Sequence, residues 1–368
     1  MRQTRKPKRQ ISATETNESF FQVQLKGEKP LSRRTAEKLY DEAAAFVSER
    51  PWEYLADSEL ILVDDPERGE RCYCCVMGAA GDWCGVYVYR GEESYRLYRK
   101  VATGDQMDPF AFYEQQTGVS VEIVKQGDLG AADRELLKAL GRPLSKGLLA
   151  PQFRAARPGY LPWYVTEEEG KLLGHCLGAV NALCAQTSDE DLDKFWRAQD
   201  VYPLMTTEDK GEYKLRLVTA PVPKVEPIEI HELDEVRVRR VASECKKSGA
   251  ILEAEHFFAP GIIGEANERK ACMQLSIVTD ANTGFLYHSE FGSPGESRAL
   301  VISRALLASM ESSRFVPAEV RVKETRLGTS LAGLGVALGF EVRAVKDLPA
   351  AREAKNFLLD MIEKQRRV

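Results

Sequence analysis

From residue 249 to the C-terminus, short apolar runs alternate with helical patterns, and their order constrains the fold more than any other feature of the sequence. AILEAEHFF, CMQLSIVTD and FLYHSEF read as three strands joined by hairpins. SPGESRALVISRALLASMESS then reads as a helix, AEVRVKE as a strand and TRLGTSLAGLGVALG as a helix. FEVRAVK is a further strand and LPAAREAKNFLLDMIEKQRR a last helix. The order β-β-β-α-β-α-β-α demands a mixed sheet, because hairpins make antiparallel neighbours and crossover helices make parallel ones. Ala250 to Phe258 is expected as the middle ribbon of five strands, with Glu253 and Glu255 on one side.

A chain of 368 residues is too long for one ordinary core. PVPKVEPIEI holds three prolines in seven positions and is the natural linker. The expected division is a disordered basic and polar tail at 1–31, an α+β domain at 32–220, the linker at 221–230 and the second domain at 231–368. Apolar residues at 43% and charged residues at 29% suit a globular protein, so burial can outweigh ordering entropy over most of the length. A net charge of −5 excludes a whole-chain basic field of the kind that dominates nucleic-acid affinity. No apolar run reaches the roughly 18 residues a membrane span needs. The start, MRQTRKPKRQISATETNES, has no apolar signal region, so the expectation is a cytoplasmic protein with no membrane partner. Its basic residues read as a solvated tail first and a weak phosphate-seeking arm second, a weak pointer to nucleic acid. The eight cysteines are expected as reduced, mostly buried thiols, since no CxxC pair or Cys/His doublet occurs.

In the first domain, Ser32 caps a helix carrying Ala36, Leu39, Tyr40, Ala43 and either Phe46 or Val47 at helical spacing, and Pro51 stops it. ELILVDD, RCYCCVM and WCGVYVY follow as an antiparallel meander, since DPERGE and GAAGD are turn chemistry. A helix over 91–104 should face Tyr95, Leu97, Tyr98 and Val101 inward. SVEIVK is a strand and AADRELLKALG a helix. Thr166 with Glu169 makes a capping box opening a helix to Gln186, and residues 212–219 close the domain as a strand on an antiparallel sheet.

Two resemblances bear on this pattern. The element order over about residues 249–365 resembles the ribonuclease H-like fold of nucleases, integrases and transposases. Pro51–Trp52–Glu53, Val76–Met77–Gly78–Ala79, Arg157–Pro158–Gly159–Tyr160 with Pro162–Trp163, and Ile277–Val278–Thr279–Asp280 with Thr283–Gly284 resemble a bacterial two-domain family built from domains of unknown function. The second resemblance implies two domains and brings no activity.

The first implies where chemistry would sit. Ribonuclease H-like enzymes hold two divalent ions between carboxylates that activate water and steady a leaving oxygen. Glu255, with Glu253 on the same face, takes the first-strand place, Glu324 the end of the fourth strand and Glu353 the last helix. All three places hold Glu where active members mostly begin with Asp, and Lys323 stands ready to neutralise Glu324. The reading favoured is therefore a non-catalytic binding or accessory protein on a degenerate ribonuclease H-like domain, with no cofactor and partners not legible. The alternative is a metal-dependent phosphodiesterase or nuclease that uses Mg or Mn through Glu255, Glu324 and Glu353. His256 points away from Glu255 by strand alternation and is expected packed or hydrogen-bonded. Asp280 in TDANTG is turn chemistry, and GLGVALG is a helix with a glycine cap. Arg157, Tyr160 and Trp163, in a Pro-rich extended segment, either line a binding groove or dock on their own domain.

Overall fold

Two sheets organise the chain, one in each of two units. The computed structural model describes residues 27–366 except 82, 104–111, 113–114, 144–146, 188–194, 197–200, 208–210, 220–221, 223–227, 229–233 and 266–267. The basic tail over residues 1–26 and the linker apart from 222 and 228 lie outside the described residues. Unit 1 comprises Met1–Arg157, Pro162–Lys224 and Gly264–Arg269, and unit 2 comprises Pro158–Leu161, Val225–Ile263 and Lys270–Val368.

Unit 1 opens with α1 (Arg33–Glu49), where the Ser32 hydroxyl accepts from the Thr35 amide and Arg50 ends the helix in the left-handed region. Its buried stripe is Ala36, Leu39, Tyr40, Ala43 and Phe46, as the spacing requires. Then come β1 (Ile61–Asp64), β2 (Arg71–Met77), β3 (Gly85–Arg90), α2 (Gly91–Ala102), β4 (Gly118–Lys125) and α3 (Ala131–Ala139). β5 (Leu149–Ala156), α4 (Glu167–Gln186), β6 (Val201–Thr207) and β7 (Tyr213–Thr219) complete it. The sheet order is β5-β4-β3-β2-β1-β6-β7.

The sheet departs from the expected all-antiparallel one at a single place. β6 pairs parallel with β1 through Leu62↔Leu204 and Val63↔Met205. A strand reached through a helix as long as α4 returns in the same direction, which a hairpin cannot do. β5 and β6 carry no alternation clear enough to announce them, and each holds a proline, Pro151 and Pro203. β5 is an edge strand, and Pro203 lies just before the two residues that pair with β1, so both prolines avoid the parallel pairing of β6 with β1. Val101, expected inward, is half exposed in the last turn of α2.

α1 and α4 cover one face of this sheet, burying Cys72, Cys74, Val76 and Val86 under Leu39, Phe46, Leu173 and Leu177. The opposite face holds Cys75, Tyr73 and Tyr89 with Tyr95 and Tyr98 of α2. The period of two along RCYCCVM thus puts its cysteines on two faces, and all eight thiols are free. Glycine lets α4 approach its neighbours closely. A Cβ at Gly178 would lie 2.7 Å from the Tyr213 hydroxyl and 3.3 Å from the Glu42 carboxyl.

Unit 2 begins with α5 (Glu235–Glu244) and β8 (Lys246–Lys247), then β9 (Ile251–Ile263), β10 (Ala271–Asp280) and β11 (Leu286–Gly292). α6 (Arg298–Ser313), β12 (Phe315–Val316), β13 (Glu319–Val322), α7 (Thr325–Leu338), β14 (Glu341–Ala344) and α8 (Pro349–Arg366) follow. The five-stranded order is β11-β10-β9-β13-β14, with β9 in the middle. β9 is antiparallel to β10 and parallel to β13, and β13 is parallel to β14. A short parallel pair, β8 with β12, is an addition the sequence does not announce.

Alternation along β9 sorts its side chains. Leu252 and Ala254 join Ile302, Leu306, Met310, Leu331 and Leu334 beneath α6 and α7. Phe257 and Ala259 join Leu275, Ile277, Leu348 and Ala351 beneath α8. Asp280 accepts from the amides of Asn282 and Thr283 at 3.0 and 2.8 Å, the turn expected of its sequence. α7 ends at Gly339, φ 68°, as its glycine cap requires. Among the described residues no helix is long and apolar enough to cross a membrane.

Candidate functional site

The acidic residues of β9 lie on the face that α8 covers. Glu253 is 1% exposed, and its Oε2 accepts from the Ala351 amide at 2.9 Å. α8 begins with Pro349, which has no N–H, so Ala351 supplies one of the first free amides of the helix. The carboxylate of a distant strand thus caps the positive end of α8. One turn along, Lys355 Nζ donates to Glu255 Oε1 at 3.0 Å and stands 5.0 Å from the centre of the Phe257 ring. Both glutamates are engaged by the same helix.

Glu324 and Glu353 lie elsewhere. Glu324 is the N-cap residue of α7, but its side chain makes no cap bond. Its Oε1 instead accepts from Arg298 Nη1, in the first turn of α6, at 3.0 Å. The neutralising cation is Arg298, where the sequence points to the adjacent Lys323. Glu353 is exposed and stands two residues from both Ala351 and Lys355. At about 100° per residue that places it on the side of α8 away from the sheet. Glu255, Glu324 and Glu353 therefore do not share a site, and among the described residues no group of three or more His, Cys, Asp or Glu is able to hold a metal ion.

His256 faces away from Glu255, as alternation requires. Its Nδ1 lies 2.9 Å from Ser276 Oγ, while Nε2 is covered and has no partner among the described residues. Burial, with Arg298 and Lys355 adding to it, pushes the imidazole down to about 3, so the ring is neutral at ordinary pH.

In unit 1, Arg157 belongs to a four-residue ion network. Its Nε donates to Glu169 Oε1 at 2.9 Å and its Nη2 to Glu28 Oε2 at 2.8 Å. Arg269 donates to Glu28 Oε1 at 2.9 Å and to Glu169 Oε2 at 2.8 Å. Glu169 also closes the capping box, accepting from the Thr166 amide at 2.8 Å while Thr166 Oγ1 accepts from its own amide at 3.2 Å. Burial works to raise the Glu169 carboxyl, but Arg269, the Thr166 amide and Arg157 together hold it below the usual range. Glu28 and Arg269 carry no sequence signal of this role.

Trp163 exchanges two backbone bonds with Ala155, at 2.7 and 2.9 Å, and sets its ring edge-on to Tyr164 at 5.2 Å. Tyr160 belongs to unit 2, where it bridges Ala271. The cation and the two aromatics expected as one groove are thus divided between the units, and Arg157 already has two carboxylates.

Residues 37–202 match the family described as Domain of unknown function (DUF7309), and residues 237–359 match Domain of unknown function (DUF6930). No curated protein matches the chain. Two such matches in series agree with the two-domain organisation that the sequence resembles, and they carry no activity with them.

Proposed function

We propose that this chain is a non-catalytic binding or accessory protein whose unit 2 is a ribonuclease H-like domain in degenerate form. The sheet supports the ancestry. Its first strand is central, the second and third lie antiparallel to one side, and the fourth and fifth follow parallel on the other. A bacterial, cytoplasmic setting suits the family resemblance and the eight unpaired thiols.

One observation carries the non-catalytic reading. A two-metal site needs carboxylate oxygens that converge and are free to coordinate. Here Glu253 is bonded to a helix amide, Glu255 to Lys355 and Glu324 to Arg298, while Glu353 faces away from the sheet. Binding a divalent ion would first require breaking these pairs.

The test is hydrolysis of single- and double-stranded DNA and RNA with Mg²⁺ or Mn²⁺. Wild type, Glu255→Gln and Glu324→Gln are expected to match a control without protein. Metal-dependent hydrolysis by the wild type that Glu255→Gln abolishes would overturn the reading, and so would hydrolysis that survives both changes.

A further inference from the structure

β14 closes one side of the five-stranded sheet, and no described strand pairs with its outer edge. The Glu341 amide donates to the Ala318 carbonyl and the Val345 amide to the Val322 carbonyl, so the odd-numbered residues turn their backbone groups toward β13. By alternation Val342 and Ala344 turn their N–H and C=O groups outward. The Val342 side chain packs on the cluster beneath α6 and α7. Glu341 and Arg343 therefore stand on the opposite face, with side chains 59% and 52% exposed. On that face the register with β13 sets like beside like, Glu319 opposite Glu341 and Arg321 opposite Arg343.

α7 runs along the same edge. A Cβ at Gly335 would lie 3.0 Å from Val342 Cγ2, and one at Gly328 3.9 Å from Val342 Cγ1, so both glycines face β14. Leu331, Leu334 and Leu338 pack toward Ile302 and Leu306 of α6. On the side away from α6, Thr325, Thr329, Ala332 and Val336 form an exposed stripe that points past the edge. Val336 is 84% exposed, and no residue from Leu327 to Phe340 carries a charge.

We propose that β14 pairs antiparallel with β14 of a second copy about a two-fold axis at Val342, with α7 against α7 beside it. Charge selects that occupant and that register. With Val342 opposite Val342, Glu341 of each copy faces Arg343 of the other, and the like-charged rows of β13 and β14 each gain an opposite neighbour. A shift of two residues either way would set Glu341 against Glu341 or Arg343 against Arg343, and a shift of one would turn the side chains to the wrong face. The backbone agrees. Val342, on the axis, has both of its polar groups outward and closes a symmetric pair of bonds, and the Ala344 amide meets the Phe340 carbonyl of the second copy. The helix agrees as well. Gly328 and Gly335 flank Val342, so the axis meets α7 near Ala332, the middle of the stripe. Helices above adjacent strands must pack at the short end of the usual separation of about 8–10 Å, which threonine and alanine side chains admit. An unrelated strand on this edge would satisfy the backbone alone. The inference is independent of the proposed function, since Glu341 and Arg343 pair with each other and with Glu319, not with the β9 carboxylates.

Sedimentation velocity on the full chain, from about 1 μM to about 500 μM, tests it, with circular dichroism to show that each variant is folded. Wild type is expected to pass reversibly from monomer to dimer over that range. Val336→Asp, at a side chain that packs on nothing in the monomer, should weaken association by at least about tenfold. Glu341→Lys and Arg343→Glu should each weaken it alone, because lysine then faces arginine or glutamate faces glutamate. An equimolar mixture of those two variants should restore it, because every cation then meets a carboxylate across the axis. A wild type that stays monomeric at the highest concentration overturns the proposal. So does a dimer indifferent to Val336→Asp, or a mixture that associates no better than its components.

Discussion

Glu169 in unit 1 and Glu253 in unit 2 are both buried carboxylates at the first turn of a long helix, held by different means. Glu169 is 8% exposed, sits within its own helix, and has two guanidinium groups and the Thr166 amide as partners. Glu253 is 1% exposed, comes from a strand, and has the Ala351 amide. The contrast separates two ways of keeping a charge out of water: compensation by opposite charge, and compensation by the oriented amides of a helix end. The first holds a carboxylate firmly but makes it depend on distant residues; the second ties a strand to the helix that covers it.

The largest effect expected follows from removing a cation. Arg269→Ala leaves Glu169 and Glu28 with Arg157 alone, and breaking a buried pair from one side should cost about 2–3 kcal/mol. Amide exchange in the first turn of α4 should rise accordingly. The pH dependence has a definite sign. The folded Glu169 carboxyl lies below its ordinary 4.5, so the unfolded chain binds the proton more readily. Its contribution to stability is full above about pH 4.5 and is lost as pH falls through the folded value. Arg269→Ala should move that acid loss to higher pH. An unchanged acid midpoint would show that Arg157 and the Thr166 amide hold Glu169 without help.

A smaller effect should come from the helix-capping carboxylate. Glu253→Ala leaves a buried amide without its acceptor and a small void beside it, at about 2 kcal/mol. Glu253→Gln keeps a carbonyl oxygen for Ala351 and should cost about 1 kcal/mol or less. Exchange at the start of α8 is the measurement. Equal losses in the two variants would mean that the charge, and not the acceptor, secures the helix, and the contrast with Glu169 would close.

The same pair shows what a sequence can disclose. Thr166 and Glu169 stand three residues apart, so the capping box is visible without coordinates and is present with both bonds. Glu253 and Ala351 are 98 residues apart, Glu255 and Lys355 100, and Glu28 and Arg269 241, and nothing local marks such partners. The central position of β9 was legible because hairpins and crossover helices leave few orders for five strands. The carboxylates upon it were legible as anomalies, since a central strand is normally apolar. Their resolution was not, because Lys355 and Ala351 belong to the last helix and their approach depends on how α8 lies across the sheet. β5 and β6 were hidden for another reason: each carries a proline, a residue that argues against a strand in sequence.

A third helix start gives the smallest and most discriminating change. At α7 a carboxylate stands in the N-cap position but turns to Arg298, leaving the first amides without a side-chain cap. Its pair is half exposed, and such pairs are worth under about 1 kcal/mol, so Glu324→Gln should move stability by about 0.5 kcal/mol or less. Glu353→Gln, which breaks no hydrogen bond or ion pair among the described residues, should do still less. Glu324→Asp is the sharper probe. The shorter acid suits the N-cap geometry and can reach the second or third amide, which is worth about 0.5–1 kcal/mol, while it retreats from Arg298. A gain in thermal stability would show that α7 lacks the cap that α4 takes from its own chain and α8 takes from β9. A loss would show instead that the tie from α7 to α6 through Arg298 matters more than the helix end, and that Glu324, like Glu255, is held where it is by its cation.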